Sequence, residues 1–154
     1  MNLIDKLERI RETIGHRIKN YLGDEISDCI VGRKDKAYKF KPPLVWVIPD
    51  SGNINPEGMM AIHEDWFPVY HIVGISMKKD PEEARKEAER LAIRASAALF
   101  KDPDTGKINK TLGGLVHYIK RIGWSPGDTR VIDNETLHGA AVQIRMRFET
   151  EEVE

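Results

Sequence analysis

From Ala140 to Glu149 the chain reads A-A-V-Q-I-R-M-R-F-E. Ala140, Val142, Ile144, Met146 and Phe148 fall in one phase, and Ala141, Gln143, Arg145, Arg147 and Glu149 in the other. Successive side chains of a strand point to opposite faces, so this pattern predicts a half-buried strand with one dry and one charged face. At about 3.3 Å per residue such a strand crosses a small domain. The remaining apolar segments are read as partners for its dry face.

The pattern elsewhere predicts two helices and several strands. Over residues 2–22, Leu3, Leu7, Ile10, Ile14, Ile18 and Tyr21 recur at spacings of three and four, a single apolar stripe. Asn2 suits the N-cap and Gly23 the left-handed stop. Gly15 inside the helix implies a kink or a close contact. The stripe has to lie on the domain's own sheet or partly on a neighbouring copy. Asp80-Pro81-Glu82-Glu83 opens a second helix with a cap, a first-turn proline and two acids at the positive dipole end. Its stripe of Ala84, Ala88, Leu91, Ala92, Ala95 and Leu99 is narrow enough for close approach to a sheet, and the helix is expected to end near Phe100.

Leu44 to Ile48 reads as a buried strand bounded by prolines. Asp50 to Gly58, D-S-G-N-I-N-P-E-G, reads as a turn-rich loop, and Ala61 to Met77 as an extended segment broken at Pro68. Together these make a long hairpin. Leu112 to Ile122 is expected as a strand, Ser125 to Asp128 as a turn, Arg130 to Asp133 as a short strand, and Leu137 to Glu149 as the last. The basic run Lys34, Lys36, Lys39 and Lys41, interleaved with Tyr38 and Phe40, fits either an edge strand guarded by lysines or a phosphate-tracking surface. This order predicts an α+β fold, a mixed or antiparallel β-sheet with an N-terminal helix and a central Ala-rich helix packed on one face. One domain over 1–150 is expected, followed by an acidic tail over 151–154.

Composition narrows the function. The chain has 154 residues, with 24 Lys plus Arg against 25 Asp plus Glu. That near-neutral balance argues against a general polyanion binder while leaving a local basic face open. Cys29 is the only cysteine, which removes an intramolecular disulfide and a thiolate metal cluster. No apolar run approaches the roughly 20 residues of a membrane span, and no secretory signal pattern opens the chain. A soluble protein made in the cytoplasm is the default expectation.

The sequence carries no complete catalytic motif. His63-Glu64-Asp65-Trp66-Phe67 lacks the second histidine of H-E-x-x-H. The turn at Asp102-Pro103-Asp104 starts like a calcium loop, but Gly113 stands where the bidentate glutamate belongs. Gly106-Lys107 lacks the upstream glycine of a P-loop, and there is no G-x-S-x-G elbow. His117 and His138 can meet if their strands pair, which with His63 keeps a small His-dependent metalloenzyme as an alternative. The expectation is no catalytic residue, no cofactor and no metal.

The single-faced N-terminal helix, the Ala-rich helix after an extended hairpin, and T-L-G-G-L-V at Thr111 to Val116 followed by L-H-G-A-A-V-Q-I-R-M-R-F at Leu137 to Phe148 together set the layout. This layout resembles the tail-terminator and tail-completion proteins of long-tailed bacteriophages. The resemblance implies a non-enzymatic virion subunit at the head-proximal end of the tail, assembled in the host cytoplasm. It would form a homo-oligomeric ring, usually of six copies, that caps the tail tube and offers a surface to the head connector. Its partners would be itself, the tube protein and the head-completion protein, with no membrane, and with nucleic acid only as DNA passing through the ring. Another neck or head–tail connector component is the alternative within that class. Candidate interface residues are Asp50, Asn53, Asn55 and Glu57 of the first hairpin, which either touch the tube or form a hairpin tip, and Arg145 and Arg147 of the last strand. These two arginines either meet a neighbour's acids or form the wet face of the sheet.

Overall fold

The computed structural model describes residues 2–33, 41–56, 64–132 and 134–150. The chain is α+β. Helix α1 (Leu3–Leu22) is followed by a short 3-10 turn (Gly23–Glu25), strands β1 (Asp28–Val31), β2 (Leu44–Pro56) and β3 (Glu64–Ser76), helix α2 (Pro81–Ala98), and strands β4 (Tyr118–Ile132) and β5 (Glu135–Thr150). One mixed five-stranded sheet has the order β1-β2-β3-β5-β4. β1 runs parallel to β2, and every other pairing is antiparallel. The alternating stretch near the end of the chain is thus held between two neighbours, with Ala140, Val142, Ile144, Met146 and Phe148 all buried.

Both helices lie on that dry face. Ile10, Ile14 and Ile18 of α1 are fully buried in the same core as Val45, Val47, Tyr70, Ile72 and Ile144, so α1 packs on its own sheet. Gly15 marks a close contact: a Cβ there would lie 3.2 Å from Val31 Cγ2. The helix starts as expected, with Asn2 Oδ1 accepting from the Asp5 amide at 2.8 Å. α2 starts likewise, with Asp80 Oδ2 accepting from the Glu83 amide at 3.0 Å. Its small-residue stripe seats it directly on β3 and β5. A Cβ at Gly74 would stand 2.2 Å from the Ala88 carbonyl oxygen and 2.8 Å from the Ala92 nitrogen, so the strand meets the helix backbone itself.

The two helices are also tied end to end. Arg17, only 7 % exposed, donates to the carbonyls of Leu99 at 3.5 Å and Lys101 at 3.1 Å, occupying acceptors at the C-terminal end of α2. Burial lowers the Arg17 pKa, and nearby Asp102 opposes that shift. Glu25 accepts from Arg90 and Arg94 at 2.7 Å each, and these two bonds hold its carboxyl below the usual range.

Several expectations need correction. The Asp50–Gly58 loop is strand through Pro56; a register shift between Asp50 and Asn53 absorbs the turn-forming residues, and Gly52 passes so close to β3 that a Cβ would lie 2.3 Å from the Phe67 carbonyl oxygen. Leu112 to His117 is not strand; β4 begins at Tyr118. Ser125 to Asp128 is not a turn between strands but an irregularity inside β4, which therefore joins the two expected short strands into one. β1 was not expected, and the basic run from Lys34 to Phe40 lies outside the described residues, as do Glu57 and His63.

The Gly74 contact makes a direct prediction. Gly74→Ala has to push α2 off the sheet and should cost about 1–3 kcal/mol, read as a lower urea midpoint with an unchanged slope. An unchanged midpoint would mean that α2 does not approach β3 this closely.

Candidate functional site

With both helices on one side, the other face of the sheet carries the opposite parity of every strand. The register sets Trp46 and Ile48 of β2 beside Val73 and His71 of β3, and Ala141 and Gln143 of β5 beyond them. Arg145 and Arg147 lie further along β5, opposite Lys120 and Tyr118 of β4. This open face divides into an apolar end and a polar end.

At the apolar end Ile30, Leu44, Ile75 and Leu137 form a cluster separate from the main core, with Trp46 and Val73 packed against it. Beside it runs a groove of about 400 Å³ bordered by Trp46, Ile48, Val73 and Ile75 on one side, and by Ser125, Asp128 and Arg130 on the other. Its floor is shallow-sided because Gly139 and Ala141 carry almost no side chain. Its far wall is the β4 irregularity. Gly127 has φ 84° and lies so tightly on β5 that a Cβ would stand 1.6 Å from the Gly139 carbonyl oxygen, so only glycine fits both demands. His138 fastens the same place: its Nδ1 lies 3.1 Å from Thr129 Oγ1 and its Nε2 2.9 Å from the Pro126 carbonyl, to which it donates.

At the polar end the candidate residues resolve into separate pairs. Asp50 Oδ2 lies 2.7 Å from His71 Nε2, with the Gln143 amide 3.4 Å from the same nitrogen. That hydrogen bond holds the Asp50 carboxyl below the usual range, with the Ser51 amide contributing. Arg147 is engaged within the chain: it binds Asp65 in bidentate fashion, with Nη2 3.2 Å from both carboxylate oxygens, and reaches Glu149 at 3.2 Å. Arg145 has no carboxylate partner among the described residues; its guanidinium lies 5.9 Å from the Phe67 ring centre. Asn53 faces β3 opposite Phe67, and Asn55 pairs with Asp65 in the ladder. The structure therefore brings Asp50, Arg145 and Arg147 to one face, and places Asn53 and Asn55 on the outer part of the same hairpin.

The described residues of the metalloenzyme alternative, His117 and His138, do not converge. His117 lies beside Arg147 and 3.9 Å from Glu149, at one end of β5, whereas His138 is at the other, about 30 Å away at strand spacing. His117 and His138 do not meet across paired strands. Among the described residues no group of three or more His, Cys, Asp or Glu side chains could hold a metal ion. Cys29 is buried under α1, which pushes its thiol up to about 12, away from thiolate reactivity. The sequence reading missed the groove, because Trp46 and Ile48 looked like ordinary core strand positions and Gly127 like a turn.

No protein-family model matches the chain, and no curated protein is significantly similar to it. The fold and the open face define an α+β protein with helices on one side of a mixed sheet and a grooved, charged surface on the other.

Two outcomes follow from this geometry. Arg147→Ala leaves Asp65, itself 8 % exposed, without its bidentate donor and should lower the midpoint of denaturant unfolding. The Asp50 carboxyl should titrate below the ordinary value of about 3.9 by NMR, and His71→Ala should return it toward that value. Since the folded-state pKa is the lower one, the contact's contribution is present above the unfolded pKa and is lost as pH falls through the folded one.

Proposed function

We propose that this protein is a structural subunit that terminates or completes the tail of a phage-type particle, working as a homo-oligomeric ring that joins the tube to the head connector. The observation that carries this reading is the one-sided sheet. Helices cover one face, and the other presents a groove, fixed ion pairs and an arginine without a carboxylate partner among the described residues, chemistry suited to meeting other proteins. The order of helix, hairpin, Ala-rich helix and hairpin supports it too, since that order accompanies the resemblance drawn from T-L-G-G-L-V and the last strand. The long exposed edge of β4, where Trp124 and Val131 are 61 % and 70 % exposed, also suits contact between neighbouring copies.

The test is native mass by light scattering after gel filtration over a concentration series. A discrete species near six subunits is expected, and electron microscopy should then place it on the head-proximal end of tails. A strict monomer at every concentration would remove the preassembled ring. A ring that binds elsewhere in the particle would favour the neck or connector reading.

A further inference from the structure

We infer that copies of this chain associate head to tail, with Trp124 of one copy entering the open-face groove of the next. This rests on the ring reading above and names the two surfaces that would build it. Trp124 pairs with Val142 across β4 and β5 and so lies on the helix side of the sheet, yet it is 61 % exposed beside Ile93, itself 44 % exposed. These two residues border one shallow depression with Arg121 and Val142. An exposed tryptophan next to an exposed isoleucine is the kind of anchor that dominates protein interfaces.

The groove lies on the opposite face of the same sheet, so a copy's own Trp124 cannot reach it. Its volume of about 400 Å³ and its borders of Trp46, Ile48, Val73 and Ile75 fit an indole ring. Two grooves set face to face would enclose a void, whereas anchor and groove are complementary in shape. The groove's wall carries Asp128 beside Arg130, so it offers an incoming Arg121 a carboxylate as well as a like charge. Arg121, beside the anchor, donates to Ser96 Oγ at 2.9 Å and to the Ile93 carbonyl at 3.3 Å, with no carboxylate partner among the described residues. Asp128, on the groove's wall, accepts from the Thr129 amide at 2.8 Å, with no cation partner among them. Docking Trp124 brings the Arg121 guanidinium to a groove whose wall holds the Asp128 carboxylate. A contact of this heterologous kind uses two different patches and closes into a ring when the rotation per copy permits.

The experiment uses two variants and the wild-type chain, followed by light scattering and analytical ultracentrifugation. Trp124→Glu spoils the anchor and Ile48→Glu spoils the groove; both side chains are partly exposed, and circular dichroism and melting check that each variant folds. Each alone should weaken self-association by about 30-fold or more. Mixed, they should form a one-to-one dimer and nothing larger, because each retains one working surface and only one pairing remains. If the wild-type chain assembles but either variant assembles equally well, or the mixture does not pair, the anchor-in-groove contact is wrong while the ring stands, and the groove takes another occupant. If the wild-type chain is monomeric throughout, the preassembled ring and this contact fall together.

Discussion

Everything else in the fold is positioned by the contact between α2 and the centre of the sheet. Gly74 lets the helix backbone come to the strand backbone, and Ala84, Ala88, Ala92 and Ala95 keep that approach close along the helix, all of them buried. A helix this near the sheet leaves little depth for large side chains. The main core therefore grows sideways, under α1, where Ile10, Ile14, Ile18, Tyr70 and Phe148 supply the volume. Because that one layer satisfies both helices, the opposite face is left to polar pairs and to the groove. Arg17 and Glu25 then fix the helices to each other at their ends, so that the layer behaves as one unit.

Period was legible where it ran uninterrupted. The alternation of β5, the stripe of α1 and the capped start of α2 each depend on residues within one element, and each was readable from the chain alone. Long strands with inserted irregularities were not. In β2 the residues Asp50, Ser51 and Gly52 carry turn chemistry, but Gly52 is there because the backbone of Phe67 passes close by. In β4 Pro126 and Gly127 likewise read as a turn, and the reason for Gly127, the carbonyl of Gly139, lies on another strand. Glycine required by a turn and glycine required by a close neighbour look the same in one dimension. β1 escaped notice for a different reason: at four residues, Asp28 to Val31, it is too short to show a period, and its place comes from pairing with β2.

The candidate site was legible in part. Arg145 and Arg147 were visible as the wet phase of the last strand, and both lie on the open face. Sequence could not separate them, since the partner of Arg147 is Asp65, 82 residues away in the chain. The groove was not readable at all, because it is made by what Gly139 and Ala141 lack and by the bend in β4.

The open face also has to tolerate its own charges. Lys120 and Arg145 stand directly opposite each other in the ladder, a like-charge pair that ordinarily opposes strand pairing. Each is instead set against a ring, Lys120 at 4.8 Å from the centre of Tyr118 and Arg145 at 5.9 Å from that of Phe67. An aromatic face offsets part of the repulsion without neutralising the cation. Arg147, by contrast, spends its charge on Asp65 and Glu149. The same strand thus carries one arginine that holds the fold together and another whose charge stays open to whatever meets the face, and the difference lies in whether a carboxylate or a ring occupies the neighbouring strand.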